Sequence, residues 1–373
     1  MKLEGGNKHY LWLPLLLLAG VAWIWQQPGD RPDSAHAGNV AETAAAESDE
    51  EPLAITAPAD PDSATLSSLT NRADDINAVR SLLVQQKGTL VMERYFDGMS
   101  SGRTMNLKSA SKSVLSLLIG IAVDRGIIDS VDQPIRHYLP EYFEDIDSEI
   151  KRSITIKDLL TMRAGLETTS FHNYGRWVVS DDWVEFALEQ PMEDRPGGDM
   201  VYSTGSTHLL SVILTRAAGM STRAFANRHL FGPLDIEVGG WDRDPQGHYM
   251  GGNNMALRPS DMVKIGQMVL DGGVWEGERI VSRAWLKDSF RTYTRSNYNP
   301  YDYGYLWWKR PVSGYHVRFA WGYGGQYILM IPDLEAVVVM TSDPTETSDE
   351  RGYQRPVFNL LEHEIIPMLE PVN

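Results

Sequence analysis

Apolar and polar positions divide the chain into three regions. Residues 10–25 (YLWLPLLLLAGVAWIW) form a continuous apolar run behind Lys2 and Lys8. Residues 26–71 are rich in Ala, Ser, Asp, Glu and Pro and hold no aromatic residue. That composition buries too little apolar surface to order a chain. Periodic patterns begin near residue 72. Residues 80–86 and 89–96 are short β-prone runs around Lys87-Gly88, which predicts a hairpin. Residues 114–123 are apolar on nearly every side, the mark of a helix through the interior, with Gly126 as its stop. Residues 154–270 read as mainly helical, broken by clusters such as Arg195-Pro196-Gly197-Gly198. Residues 327–331 and 336–341 flank Pro332-Asp333-Leu334-Glu335 as a second hairpin, and 356–368 form a last helix. Strands at both ends with helices between predict an α/β plus α fold. Its antiparallel sheet is built from both ends of the domain and flanked by helices, with a mainly helical second lobe.

The first apolar run is long for a signal sequence and short for a full membrane span. Ala35-His36-Ala37 offers a cleavage site, but it lies well beyond the apolar run. The expectation is an uncleaved signal-anchor, basic end inside, with Trp23 and Trp25 near the far interface; cleavage and release is the alternative. Both put the body of the protein outside the cytoplasm, in a periplasmic or equivalent space. The domain organisation is then 1–25 anchor or signal, 26–71 acidic disordered linker, and 72–373 a single folded domain.

Charge and composition narrow the function. The formal net charge of the 373 residues is -16, which argues against nucleic acid and anionic lipid as partners. Residues 26–71 hold nine of the acids and only one arginine, Arg31, so the acidity says little about a site in the folded part. There is no cysteine, which removes disulfides and thiol chemistry together. Nine histidines show no metal-binding spacing. No metal and no cofactor are expected, and the oligomeric state is not legible.

The candidate chemistry lies in Ser109-Ala110-Ser111-Lys112, at the mouth of the apolar helix. Serine and lysine three apart share one helix face. If that face opens on a cleft, the pair is a nucleophile with a base beside it. A serine at a helix N-terminus also sees backbone N–H groups that favour an oxyanion. The lysine needs burial to bring it down from its ordinary pKa of about 10.4. The alternative is an N-capping serine and a surface lysine. A second S-x-x-K, Ser148-Glu149-Ile150-Lys151, sits in an acidic stretch with no apolar helix behind it and reads as surface. Gly98-Met99-Ser100-Ser101-Gly102 fits the nucleophile elbow G-x-S-x-G. Glu93, Arg94 and Asp97 before it and polar residues after it make a surface turn the better reading.

Further motifs carry a family resemblance. Lys108 to Ser113, the run Ile154-Thr-Ile-Lys-Asp-Leu-Leu-Thr-Met-Arg-Ala-Gly-Leu166, and Tyr202-Ser203-Thr204 followed by His208-Leu-Leu-Ser-Val-Ile213 are similar to serine hydrolases related to class C β-lactamases and penicillin-binding proteins. Pro259 to Gly266 and Tyr323-Gly324-Gly325 fit the same family, and the likeness covers about 75–370. It implies the β-lactamase/DD-peptidase-like fold, with Ser109 as acylated nucleophile, Lys112 as its base and Tyr202 as proton relay. The backbone N–H groups of Ser109 and Gln326 would form the oxyanion hole. Thr204, Tyr323, Gly324 and Gly325 would contact substrate.

Two positions depart from the family pattern. Thr204 stands where Asn is usual, and Tyr323 where Lys or His of K-T-G or H-x-G is usual. A β-lactam or peptide carboxylate wants a cation at the second position. The Gly-Tyr-Gly-Gly-Gln variant resembles instead the branch of esterases and 6-aminohexanoate-oligomer hydrolases. Residues 171–183 would supply an aromatic lid, with Tyr174 and Trp177 facing the acyl group or, alternatively, lying in the core, where Trp307, Trp308 and Trp321 belong. The function expected is a serine hydrolase of small-molecule esters or amides. A D-Ala carboxypeptidase or weak β-lactamase is one alternative; an inactive binding protein is another.

Overall fold

The structure, a computed structural model, describes residues 57–76, 78–346 and 354–370. The apolar run 10–25, expected to be an anchor, lies outside the described residues. Among the described residues no helix is long and apolar enough to cross a membrane.

Strands β1 (Val79–Gln86) and β2 (Thr89–Tyr95) form the first expected hairpin. Lys87 and Gly88 at its turn both have left-handed backbones, φ +49° and +75°, as a tight two-residue turn requires. β3 (Met105–Asn106) pairs with β4 (Ala256–Leu257), and β5 (Val274–Trp275) with β6 (Glu278–Arg279). The remaining strands are β7 (Thr294–Arg295), β8 (Asp302–Tyr303), β9 (Trp308–Val312), β10 (Tyr315–Gly322), β11 (Gln326–Ile331) and β12 (Ala336–Ser342). They join β1 and β2 in one antiparallel eight-stranded sheet of order β2-β1-β12-β11-β10-β9-β8-β7. Leu82 lies opposite Met340 and Val84 opposite Val338, so the two ends of the domain meet inside the sheet.

β11 and β12 are buried at every position, which requires cover on both faces. The Pro259–Leu270 helix covers one, so closely that a Cβ on Gly266 would strike Val337 and Ile328. Side chains alternate along a strand, so Tyr327 points the other way. There its ring meets Phe358 of the Gln354–Leu360 helix at a centroid distance of 6.1 Å. The helical lobe is built around Ser111–Asp124 and Thr204–Ala218, each buried along most of its length.

Two stretches differ from the sequence reading. The expected linker ends early, because Ser63–Asp74 is a helix whose N-cap Asp62 accepts the Thr65 N–H at 2.7 Å. Leu66, Leu69 and Ala73 recur at helical spacing and pack on the core; the polar residues between them conceal that stripe in the composition. The expected helical middle is interrupted after Phe231, where the chain runs through turns to β4. Gly, Asp and Asn dominate 239–254 and disfavour helix, and this run delivers Asp244, Gly251 and Gly252 to the interior.

The two rival motifs stay outside the core. Ser100 and Ser101 are exposed in a turn. Ser148 caps the short Glu149–Arg152 helix, and Lys151 Nζ donates to the Leu188 carbonyl at 2.7 Å.

Candidate active site

The chain after β3 makes a tight turn fixed by three hydrogen bonds. The Leu107 N–H donates to the Met255 carbonyl at 2.8 Å, the Lys108 N–H to Asn106 Oδ1 at 2.8 Å, and Ser111 Oγ to the Lys108 carbonyl at 2.7 Å. Lys108 takes a left-handed backbone, φ +49°, costly for a residue with a Cβ. Ser109 sits in the 3-10 turn Lys108–Ala110, just ahead of the Ser111–Asp124 helix. A Cβ on Gly322, at the end of β10, would strike the Leu107 carbonyl and the Ala110 nitrogen. Glycine there lets the β10–β11 hairpin press against the serine turn.

Lys112 is 1 % exposed. Its Nζ lies 3.2 Å from Ser109 Oγ, 3.1 Å from Thr204 Oγ1 and 2.7 Å from the Gly252 carbonyl oxygen. Burial, with no carboxylate to offset it, brings its pKa down to about 7. A neutral amine has two N–H donors and one lone pair. The Gly252 carbonyl can only accept. Thr204 Oγ1 accepts the second N–H when its own hydrogen goes to Ser170 Oγ, 2.9 Å away. The lone pair is then left for Ser109.

Thr204 therefore needs reassignment. Read from the sequence as a substrate contact, it is 3 % exposed, and its hydroxyl is taken by Lys112 and Ser170. The same Ser170 Oγ accepts the Thr204 N–H at 2.9 Å. Thr204 orients the lysine.

Tyr202 stands at the open side of the pair, half-buried like Ser109. Its ring stacks on Trp308 at 5.9 Å and 25°, and Lys112 Nζ lies 5.2 Å from its centroid. Burial pushes the phenol up to about 12, against the pull of a hydrogen bond with Ser109. Gln326 is fully buried, and its amide is pinned to β12. Nε2 donates to the Ser342 carbonyl at 2.6 Å, and Oε1 accepts the Ser342 N–H at 3.4 Å. Gly324 and Gly325 have φ +79° and +93°, and Tyr323, at the hairpin tip, is 61 % exposed.

The aromatic segment divides. Tyr174 accepts a hydrogen bond from Asn253 Nδ2 at 2.9 Å and stays partly buried. Trp177, expected to face an acyl group, is 0 % exposed. It packs on Trp183 at 4.8 Å and donates its Nε1–H to the Trp183 carbonyl at 3.0 Å. A ring with no free surface meets no ligand, so Trp177 is core beneath the segment rather than its working face. Trp307 and Trp308 are buried as expected, and Trp308 also backs Tyr202. The sequence reading missed Ser170, Gly252 and the buried His208–Asp244 pair, whose Nε2 and Oδ2 are 3.0 Å apart. The run Gly251-Gly252-Asn253-Asn254 was the one local signal for Gly252. Among the described residues no cluster of His, Cys, Asp and Glu could hold a metal ion.

Comparison with known proteins places the family and the fold. Residues 78–357 match the family described as Beta-lactamase. The chain belongs to the beta-lactamase family. It is 24 % identical over 305 residues to a 6-aminohexanoate-dimer hydrolase of Paenarthrobacter ureafaciens, covering 70 % of this chain and 72 % of that protein. A penicillin-binding protein homologue from Caulobacter crescentus superposes with a TM-score of 0.67 at 14 % identity, over 82 % of this chain and 97 % of the other. EstCE1, a hydrolase with promiscuous acyltransferase activity, superposes at 0.66 with 16 % identity, over 80 % and 97 %. The fold is that of β-lactamases and penicillin-binding proteins, and the family is one of hydrolases.

Proposed function

We propose that this beta-lactamase-family hydrolase cleaves esters or small amides through an acyl-enzyme on Ser109. The observation that carries the reading is the buried lysine amine, tuned to about 7 and 3.2 Å from the serine oxygen. Near neutral pH roughly half of such an amine is free to take a proton. Lys112 removes the Ser109 hydrogen as Oγ bonds to the substrate carbonyl carbon. The oxyanion is held by the Ser109 and Gln326 N–H groups. Tyr202, a neutral phenol, gives its proton to the departing oxygen or nitrogen and is refilled from the Lys112 ammonium. Water then adds to the acyl carbon by the same route, and Ser109 leaves with its proton restored.

Two features support the choice of substrate class. Tyr323 stands where a carboxylate-binding cation would serve a β-lactam or a peptide C-terminus. The proteins named above include a 6-aminohexanoate-dimer hydrolase and a hydrolase with promiscuous acyltransferase activity. On sequence grounds the enzyme works outside the cytoplasm, tethered through 10–25; an N-terminus at Gly38 in the mature protein would exclude the tether.

The test is fluorophosphonate labelling of the full-length chain, with the adduct located by peptide mass spectrometry. A p-nitrophenyl ester, the 6-aminohexanoate dimer and nitrocefin then serve as competing substrates. An adduct on Ser109, lost in Ser109→Ala together with turnover, is expected. No adduct would favour a binding protein, and nitrocefin cleaved as fast as the ester would favour a β-lactamase.

A further inference from the structure

Behind Lys112 lies a second buried polar group that plays no part in the steps above. His208 and Asp244 are both buried, with side chains 0 % exposed. His208 comes from the Thr204–Ala218 helix and Asp244 from the irregular run before β4. His208 Nδ1 accepts the Gly251 N–H at 3.3 Å, and its Nε2 lies 3.0 Å from Asp244 Oδ2. An acceptor at Nδ1 leaves the ring's one hydrogen on Nε2, so the imidazole is neutral and donates to Asp244.

Asp244 is itself held in place. Its Oδ2 also pairs with His248 Nδ1 at 2.9 Å, and its Oδ1 accepts the His248 N–H at 2.7 Å. Burial alone would raise the carboxyl's pKa, but the two histidines outweigh it and hold it below the ordinary carboxylate range. Desolvation likewise keeps His208 below the ordinary histidine value, against the pull of Asp244.

The other end of this chain of bonds is the lysine. Gly251 and Gly252 are pressed against the Thr204–Ala218 helix so tightly that a Cβ on Gly251 would strike the Thr207 carbonyl, and one on Gly252 would strike Lys112 Cγ. Thr207 Oγ1 donates to the Gly251 carbonyl at 2.9 Å. The next carbonyl, that of Gly252, accepts from Lys112 Nζ at 2.7 Å, shorter than either of the lysine's other two contacts.

We propose that His208, oriented by Asp244, is a positioning residue for Lys112. By accepting the Gly251 N–H it anchors the Met250–Gly251 peptide, while Thr207 holds the next peptide through the Gly251 carbonyl; fixed at both points, the two glycines present the Gly252 carbonyl to Lys112 Nζ and so leave the lone pair for Ser109. The rings of Trp177 and Trp183 stand edge-on to the imidazole at 5.8 and 5.3 Å. They exclude water from the pair and tie the aromatic segment to the geometry of the base. Asp244, His248 and the more distant Asp182 are the charged or titratable groups that act on His208.

The proposal rests on Lys112 acting as the base for Ser109. Three single variants of the full-length chain test it: His208→Leu, which removes both ring nitrogens; His208→Asn, whose Oδ1 can replace Nδ1; and Asp244→Asn. In the last, an amide N–H facing Nε2 would force the ring hydrogen onto Nδ1 and turn the Gly251 acceptor into a donor. The readouts are the pH dependence of fluorophosphonate labelling at Ser109 and kcat and KM on a p-nitrophenyl ester. His208→Leu and Asp244→Asn are expected to lose about 10²-fold in kcat, the scale of a misplaced catalytic group. KM should change less than threefold, the acid limb of the labelling profile should move, and His208→Asn should recover at least tenfold over His208→Leu.

Wild-type kcat and an unmoved acid limb in Asp244→Asn would overturn the proposal. So would equal losses in His208→Leu and His208→Asn when both keep the wild-type circular dichroism spectrum. If His208→Leu does not fold, Asp244→Asn decides alone, since it replaces one oxygen by an NH₂. Failure of the underlying reading looks different: wild-type protein would then label no faster than Ser109→Ala.

Discussion

Replacing Lys112 by methionine keeps most of the unbranched side chain and removes its charge. With an unfolded-state pKa of 10.5 and a folded-state value of about 7, the native protein binds fewer protons than the unfolded chain between those limits. Stability contributed by this group therefore rises with pH across the window. Below about 7 both states carry the charge, and the folded state bears the full cost of burying it; above 10.5 both are neutral and the cost is gone. From pH 6 to pH 9 the change is about two pKa units, or about 3 kcal/mol. The hydrogen bonds that Lys112→Met also removes, to Ser109, Thr204 and Gly252, shift its stability by an amount that does not vary with the lysine's titration. Urea unfolding of both proteins at pH 6, 7, 8 and 9 isolates the charge. The gap between wild type and Lys112→Met should move by about 3 kcal/mol in favour of wild type as pH rises. A gap that stays constant within about 1 kcal/mol would mean that the lysine keeps an ordinary pKa in the folded protein. It would then be mostly protonated at neutral pH, and its role as base would fall.

Two other substitutions probe the cleft and the core beneath its aromatic segment. Tyr202→Phe should lower kcat on an ester by about 10²–10³-fold with little change in KM, because the hydroxyl acts on the leaving group. A loss confined to KM would make the phenol a binding group. Trp177→Ala should destabilise the protein by about 3–5 kcal/mol, seen as a lower unfolding midpoint in urea, since the ring is buried against Trp183 and Met250. A new substrate preference at unchanged stability would return Trp177 to the pocket.

Local pattern sufficed for some of this molecule. The two hairpins, the buried helix behind Ser109 and the turn at Gly126 follow from alternation, apolar runs and glycine placement, all set by neighbours in sequence. The closeness of Ser109 and Lys112 was legible for the same reason, since a spacing of three residues through one helical turn fixes their separation. Tyr202 was singled out only through the order of motifs the family shares, and the structure brings its ring to 5.2 Å from Lys112 Nζ. Position along the chain could not show that Trp177 turns inward or that Thr204 faces the lysine rather than a ligand. Both depend on which face of one segment is covered by another far away. The 3.1 Å contact between Thr204 and Lys112 spans 92 residues, and the bond from Lys112 to Gly252 spans 140. The sequence by itself determined that a serine and a lysine stand three residues apart at the mouth of one buried helix. Only the tertiary structure decided that the lysine is desolvated and which distant groups it bonds, because burial and long-range hydrogen bonds arise when distant segments pack together.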